Sequence, residues 1–280
     1  MIKKVDLVMW TKNGAGTLGQ VLKRINEIIP ENAVNNRIII DDHSTDNTRE
    51  IAESFGWQVI FNKGKGISDG ANTALEHVTS DYFVSFEQDI FLARDWWIKI
   101  PALLEDCKVV VASGVRIPNN PPALKKLQEY VTEKYRIKSQ RDPTHFYGKT
   151  LDNTIYQTEI IRQIGGFPKL RVNGGVDNVL VKRLYEHGYI WAVNYDVRSI
   201  HLRKGLMDEL KHYYWYGSCQ KELAKQLYEK NVDLIQATLI TMFSPIRGLQ
   251  VAYIQRCWQI AYVYPALRLS AFFGILRGHI

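Results

Sequence analysis

The sequence predicts an α/β protein with a mostly parallel central sheet flanked by helices. Three observations predict it. Short apolar runs alternate with amphipathic stretches between residues 5 and 115; acidic residues stand directly after two of those runs; and Gly, Asn and Pro punctuate the joins. Strands linked through helices must cross over and pair in parallel, and ligands of such sheets sit beyond the strands' carboxyl ends.

The elements follow in order. Val5–Trp10 is an apolar strand run, and Gln20–Ile29 carries Val21, Leu22, Ile25, Ile28 and Ile29 at helical spacing before Pro30 stops it. Arg37–Ile40 reads as a buried strand ending in Asp41-Asp42, and Thr45–Phe55 as a helix capped by Ser44 or Thr45. Gln58–Phe61, Tyr82–Phe86 and Val109–Ser113 read as strands and Ile67–Val78 as a helix. Pro118 to Pro122 marks a break, followed by a polar helix and a loop around Arg141–Gly148. Thr158–Ile164 is a short helix ended by Gly165-Gly166, and Gly188 closes a helix over Asp177–His187. Ile190–Asn194 and Val197–His201 read as strands, and Met207–Lys230 as an amphipathic helical region.

A composition of 46% hydrophobic and 23% charged residues can bury a substantial core. Cys107, Cys219 and Cys257 make no CxxC pair or disulfide framework, which implies a reducing compartment. Met1 to Asp6 leads straight into a strand without an h-region, so no signal peptide is expected. The net charge of +7 is uneven: no acidic residue follows Asp233, whereas Arg247, Arg256, Arg268 and Arg277 do, among Leu, Ile, Phe, Tyr and Trp. Such a tail suits an anionic lipid surface and not a nucleic acid. Pro245, Gly248, Pro265 and the arginines interrupt it before about 18–20 apolar residues accumulate, so an in-plane anchor is expected instead of a span. Packing on the protein's own core, or against a second copy in a homo-oligomer, is the alternative.

Gly14-Ala15-Gly16-Thr17-Leu18-Gly19 spells the GxGxxG dinucleotide fingerprint, which would make the chain an oxidoreductase. Thr11, Lys12 and Asn13 nevertheless separate the strand from the first glycine, and no hydride-transfer group follows. An entry turn into the first helix accounts better for the motif. At Asp41-Asp42-His43-Ser44-Thr45-Asp46, an Asx turn and a helix cap explain Ser44, Thr45 and Asp46. They do not explain two adjacent carboxylates, which repel unless a group such as a nucleobase N–H or a ribose hydroxyl bonds them. In Glu87-Gln88-Asp89 the outer side chains share a face and can aim at one cation; oxygen ligands of this kind suit Mg²⁺ or Mn²⁺. A solvated acidic loop is the plain alternative.

The ordered set Trp10-Thr11-Lys12-Asn13-Gly14, Ile40 to Asp46, Gly66-Ile67-Ser68-Asp69-Gly70-Ala71-Asn72 and Glu87-Gln88-Asp89 resembles the family 2 glycosyltransferases. The likeness continues through Ile164-Gly165-Gly166-Phe167, Val176-Asp177, the Arg183–Gly188 helix end and His201-Leu202-Arg203. It implies the GT-A fold of nucleotide-diphospho-sugar transferases and an inverting, metal-dependent transfer from a UDP- or GDP-linked donor. Thr11, Asn13, Asp41 and Asp42 would hold the base and ribose, with Lys65, Gly66, Asp69 and Gln88 near the nucleotide or sugar. Asp89 takes the last position of the family's DxD motif and would ligate Mn²⁺ or Mg²⁺. Glu87 stands where an Asp is usual, and His201 falls at the place of a further ligand. Asp177 would be the catalytic base, although Val176 replaces the Glu that normally precedes it. The resemblance further implies a catalytic domain over 1–232, with a nucleotide-sugar half at 1–117 and an acceptor half at 118–232. A helical, membrane-associating extension follows at 233–280. The acceptor would be lipid-linked or a glycan, met at the cytoplasmic face of the cell membrane by a peripheral or monotopic protein. The departures at 87 and 176 leave a catalytically decayed nucleotide-sugar-binding module as the non-enzymatic alternative. A nucleotidyltransferase would show a glycine- and basic-rich loop after the first strand, and Lys12 alone does not make one.

Overall fold

The computed structural model describes residues 4–119, 121–142, 144–146, 148–203 and 205–278. They divide between two compact units, one within Met1–Arg116, Arg136–Lys169 and Val176–Leu202, the other within Ile117–Tyr135, Leu170–Gly175 and Arg203–Ile280.

The first unit is built on an eight-stranded sheet. Its strands are β1 Val5–Thr11, β2 Val34–Asp41, β3 Gln58–Phe61, β4 Tyr82–Phe86, β5 Ile90–Phe91, β6 Val109–Pro118, β7 Thr154–Gln157 and β8 Ile190–His201. The helices α1 Leu18–Ile28, α2 Thr48–Ser54, α3 Gly66–His77, α4 Trp96–Lys99, α6 Thr158–Gln163 and α7 Val176–Glu186 belong with it; α5 is Pro122–Arg141. The strand order is β3-β2-β1-β4-β7-β6-β8-β5. Every residue of β1 is buried, as a central strand covered on both faces requires. Val21, Leu22 and Ile25 of α1 pack on it, together with Ile39, Val84, Phe86 and Trp96.

The expectation of a mostly parallel sheet needs correction: the sheet is mixed. β3, β2, β1 and β4 are parallel, but β7 pairs antiparallel with β4 and with β6, and β5 antiparallel with β8. The reason is β7, whose Thr-Ile-Tyr-Gln is too short to show a period and lies in a stretch without a predicted strand. Being antiparallel to both neighbours, it leaves β4 and β6 running the same way. The crossover pattern therefore has the direction of β6 right and its neighbour wrong. Two smaller differences accompany it. β8 is one twelve-residue strand where two were expected, and α2 starts at Thr48, with neither Ser44 nor Thr45 as its cap. The Ser44 hydroxyl accepts from the Asn13 N–H instead, and the Thr45 hydroxyl donates to Asn13 Oδ1 at 3.4 Å.

In the second unit the helices are the α5 residues up to 135, with α8 Leu206–Tyr228, α9 Leu234–Met242, α10 Ser244–Ile254 and α11 Ile260–Arg277. Leu124, Leu127, Val251, Ile260, Val263 and Leu267 form its core. α8 and α11 cross at glycines. A Cβ on Gly217 would overlap the carbonyl of Ala271, and one on Gly274 would overlap that of Tyr214. Among the described residues no helix is long and apolar enough to cross a membrane.

Candidate active site

The carboxyl ends of β1, β2 and β4 carry most of the predicted site residues, and hydrogen bonds between the loops fix them. Asn13 adopts a left-handed φ of 51°. Its N–H donates to Ser44 Oγ at 2.9 Å, and its Oδ1 accepts from the Thr45 N–H at 2.9 Å. The Gly14 N–H donates to Thr48 Oγ1 at 2.8 Å and the Ala15 N–H to Asp46 Oδ2 at 3.1 Å. The Gly14 and Ala15 amides of the fingerprint are thus engaged by the 44–48 loop, and those of Thr17 and Leu18 by the Gly14 carbonyl. Gly16 of that motif would admit a Cβ without any contact. This explains GxGxxG as an entry turn.

Asp41 and Asp42 divide in role. Asp42 Oδ1 accepts from Asn62 Nδ2 at 3.0 Å and from the Gly66 N–H at 3.3 Å, while Lys12 Nζ lies 3.3 Å from its Oδ2. It is satisfied internally and ties down the loop before α3. Asp41 is fully buried. Its Oδ2 accepts from the Ser44 N–H at 3.1 Å, but Oδ1 has no hydrogen-bond partner among the described residues. A buried carboxylate oxygen left in this state can still accept a hydrogen bond. Lys65 and Asp69 close the same loop, the Lys65 N–H donating to Asp69 Oδ2 at 2.9 Å. Gly66 sits at a φ of 73°.

Gln88 joins two strand ends. Its Oε1 accepts from the Lys12 N–H and its Nε2 donates to the Lys12 carbonyl, both at 3.1 Å, and Thr11 Oγ1 donates to Oε1 as well. The turn that carries Glu87 and Asp89 is thereby pinned to β1. The β5–β8 pairing sets Ile90 opposite His201, and His201 Nε2 lies 2.9 Å from Asp89 Oδ2. Two of the three expected metal ligands are thus brought together from distant parts of the chain. Glu87 points instead toward Arg116, whose Nη1 is 3.8 Å from its Oε2. Among the described residues no group of three or more His, Cys, Asp or Glu side chains forms a complete metal cage. An oxygen–nitrogen pair nevertheless fits a divalent cation of the kind that takes its other ligands from substrate phosphates.

Asp177 lies in the first turn of α7 and is partly buried. Burial pushes its carboxyl up to about 6; the Asn178 N–H and the Arg116 charge oppose that rise, and Asp152 adds to it. Arg116 and Asp152 were not among the predicted site residues. Arg116 was legible as the one charged side chain in the apolar β6 run; Asp152, in an unassigned loop, gave no such signal. In the second unit, Arg203 pairs with Glu209 at 3.5 Å and bonds His212, which packs on Trp215 and Tyr216 of α8.

The match that decides the family covers residues 6–165, over half of the chain, and its description is Glycosyl transferase family 2. The chain belongs to that family. It is 32% identical over 167 residues to the O-antigen chain rhamnosyltransferase WbaN of Salmonella anatum, covering 54% of this chain and 51% of that one. To the low-salt glycan biosynthesis hexosyltransferase Agl6 of Haloferax volcanii it is 26% identical over 129 residues, covering 45% and 31%. The chain thus spans about half or less of the curated relatives' length. Among solved structures, the mannosyltransferase PcManGT of Pyrobaculum calidifontis, in complex with GDP-Man and Mn²⁺, superposes with a TM-score of 0.59 at 17% identity, covering 99% of this chain and 76% of that one. Glucosyl-3-phosphoglycerate synthase of Mycobacterium tuberculosis, in complex with Mn²⁺, UDP and glucosyl-3-phosphoglycerate, gives 0.55 at 14% identity, covering 80% of each chain. These likenesses establish the α/β GT-A-type fold.

Proposed function

We propose that this glycosyltransferase moves a hexose from a UDP- or GDP-linked donor to a lipid-linked or glycan acceptor, with inversion and with the help of a divalent cation. The observation that carries the reading is the Asp89–His201 juxtaposition at 2.9 Å, at the strand ends where a diphosphate is expected. Asp41, with its unmatched buried oxygen, would accept a base N–H or ribose hydroxyl. Relatives named for O-antigen chains and for glycan biosynthesis support a glycan acceptor, and the GDP-Man and UDP complexes of the neighbours support the donor class.

Asp89 and His201 would hold Mn²⁺ or Mg²⁺, which when bound would neutralise charge on the diphosphate leaving group. Asp177 takes the proton of the acceptor hydroxyl, a task for which a carboxyl raised to about 6 is well matched. Attack opposite the diphosphate inverts the anomeric centre.

Thermal shift and hydrolysis with UDP-, GDP- and dTDP-sugars, with and without Mn²⁺, test the reading beside NAD(H). One nucleotide-sugar is expected to stabilise the protein only with metal, and Asp89→Ala to lose the effect. Stabilisation by NAD(H) alone, indifferent to metal, would overturn it. Binding without turnover would point to the decayed module.

An acceptor met at the cytoplasmic membrane face is supported by the exposed Ile235, Met242, Ile246, Tyr253, Trp258 and Phe273, which lie in a segment that carries arginines and no acid. Flotation with anionic vesicles is expected to carry the wild type and to lose the Ile235→Asp/Trp258→Ala variant. Equal flotation of both would sink the membrane assignment, and a concentration-dependent dimer would assign the face to a second copy.

A further inference from the structure

The side chain between Glu87 and Asp89 is engaged before any ligand arrives. Gln88 Oε1 accepts from the Lys12 N–H at 3.1 Å and from Thr11 Oγ1, so both of its lone pairs are used. Gln88 Nε2 donates to the Lys12 carbonyl at 3.1 Å. The amide thus meets Lys12 as a residue on an antiparallel strand would, by exchanging both backbone bonds. A carboxylate could not do this, because its second oxygen would face the Lys12 carbonyl. Gly14 leaves the room for it, since a Cβ there would lie 2.7 Å from Gln88 Oε1. The clamp is anchored on both sides. Beyond Lys12, the Asp42 N–H donates to the Thr11 carbonyl at 2.8 Å, and Lys12 Nζ lies 3.3 Å from Asp42 Oδ2. Beyond Gln88, the Leu202 N–H donates to the Asp89 carbonyl at 2.8 Å, next in the chain to His201.

We propose that Gln88 is a positioning residue shared by two parts of the donor site: its clamp presets the 11–14 loop for the nucleotide and the 87–89 turn for the cation before either binds. The proposal rests on the reading that Asp89 holds the cation and that the ends of β1 and β2 meet the nucleotide. A preset loop spares each ligand the cost of ordering it. Three roles for Gln88 then separate by what each ligand feels alone. A direct nucleotide contact, the role suggested by the sequence, serves the nucleotide only. A prop of the 87–89 turn serves the cation only. A shared clamp serves both, and it gives Thr11 of β1 an effect on the cation through Gln88.

Each ligand is titrated alone into the full chain, Mn²⁺ by the EPR signal of the free ion, and UDP or GDP in EDTA by calorimetry. Gln88→Met keeps the length of the side chain and loses its amide. It is expected to weaken Mn²⁺ about 10-fold, the scale on which supporting partners act on a metal, and the nucleotide about threefold. Thr11→Val should weaken Mn²⁺ as well, and add nothing in the Gln88→Met background. Loss for the nucleotide alone makes Gln88 a direct contact, and loss for the cation alone makes it a prop of one turn. Either result overturns the proposal, as do unchanged affinities, additive effects of the two substitutions, or a wild type that binds neither UDP nor GDP in EDTA. The parent reading fails separately. Mn²⁺ binding that is absent, or that survives Asp89→Ala, overturns the cation assignment and the proposal with it. Binding that is lost in Asp89→Ala but untouched in Gln88→Met overturns the proposal alone.

Discussion

The sheet-bearing unit and the helical unit treat their polar groups differently. In the first, three fully buried aspartates are held by hydrogen bonds. Asp6 accepts from Asn35 and Asn36 side chains and from the Thr79 and Ser80 N–H groups. Asp41 accepts from the Ser44 N–H, and Asp152 from the side chains of Arg116, Thr150 and Asn153. In the second unit the core cluster is apolar and the helices approach through glycine; one largely buried ion pair, Arg203–Glu209, is its counterpart to those aspartates, and Arg247 donates to the Tyr130 hydroxyl at 2.9 Å. The difference is one of degree: fully buried aspartates belong to the sheet unit, and large exposed apolar side chains gather along residues 234–276.

The largest expected effect breaks the charge side of that comparison. Asp177→Asn should lower turnover by about 10²- to 10⁴-fold, the worth of a general base, and yet stabilise the protein at higher pH. The sign follows from the raised carboxyl. The folded state binds the proton more tightly than the unfolded chain does. That contribution to stability is complete below the ordinary aspartate value of 3.8 and lost as pH rises through about 6. Thermal melts across this window should show the wild type losing ground to Asp177→Asn, and a constant difference would mean that Asp177 is well solvated. Next comes the glycine crossing. Gly274→Ala must push α11 away from Tyr214 of α8, a loss of about 1–3 kcal/mol by the usual measure of overpacking. Urea denaturation should register it; an unchanged or raised midpoint would mean that the helices part at no cost, since alanine alone favours a helix.

Much of the sheet unit was legible because its signals are local. Apolar runs and helical spacing locate β1 to β4 and α1 to α3 within a few residues, and the acids after β2 and β4 mark the strand ends. Asp89 and His201 were each named, but their meeting depends on β5, a two-residue strand that no pattern reveals. β7 was missed because four residues cannot display a period, and with it went the mixed character of the sheet. Asp152 escaped, and with it the partner of Arg116, because the two meet only once the loop before β7 folds back on β6. The separate fates of Asp41 and Asp42 were equally hidden. Adjacent letters give no hint that one finds Asn62 and Gly66 while the other keeps a bare oxygen.

The smallest effect expected is also the one that sharpens how glycine is used in the two regions. In the helical unit glycine is demanded by a neighbouring backbone, which cannot yield. At the mouth of the sheet Gly14 is demanded by side chains, since a Cβ there would lie 2.7 Å from Gln88 Oε1 and 2.9 Å from Thr11 Oγ1. Gly16 meets nothing and does not occupy the left-handed region. Gly16→Ala should therefore change stability by no more than about 0.5 kcal/mol, as for an ordinary surface site, and leave nucleotide-sugar binding intact. Gly14→Ala should displace Gln88, loosen the turn bearing Asp89, and weaken metal-dependent binding of the donor. If Gly16→Ala instead abolished nucleotide binding, a phosphate would have to approach that glycine closely. The GxGxxG reading would then return in place of the entry turn.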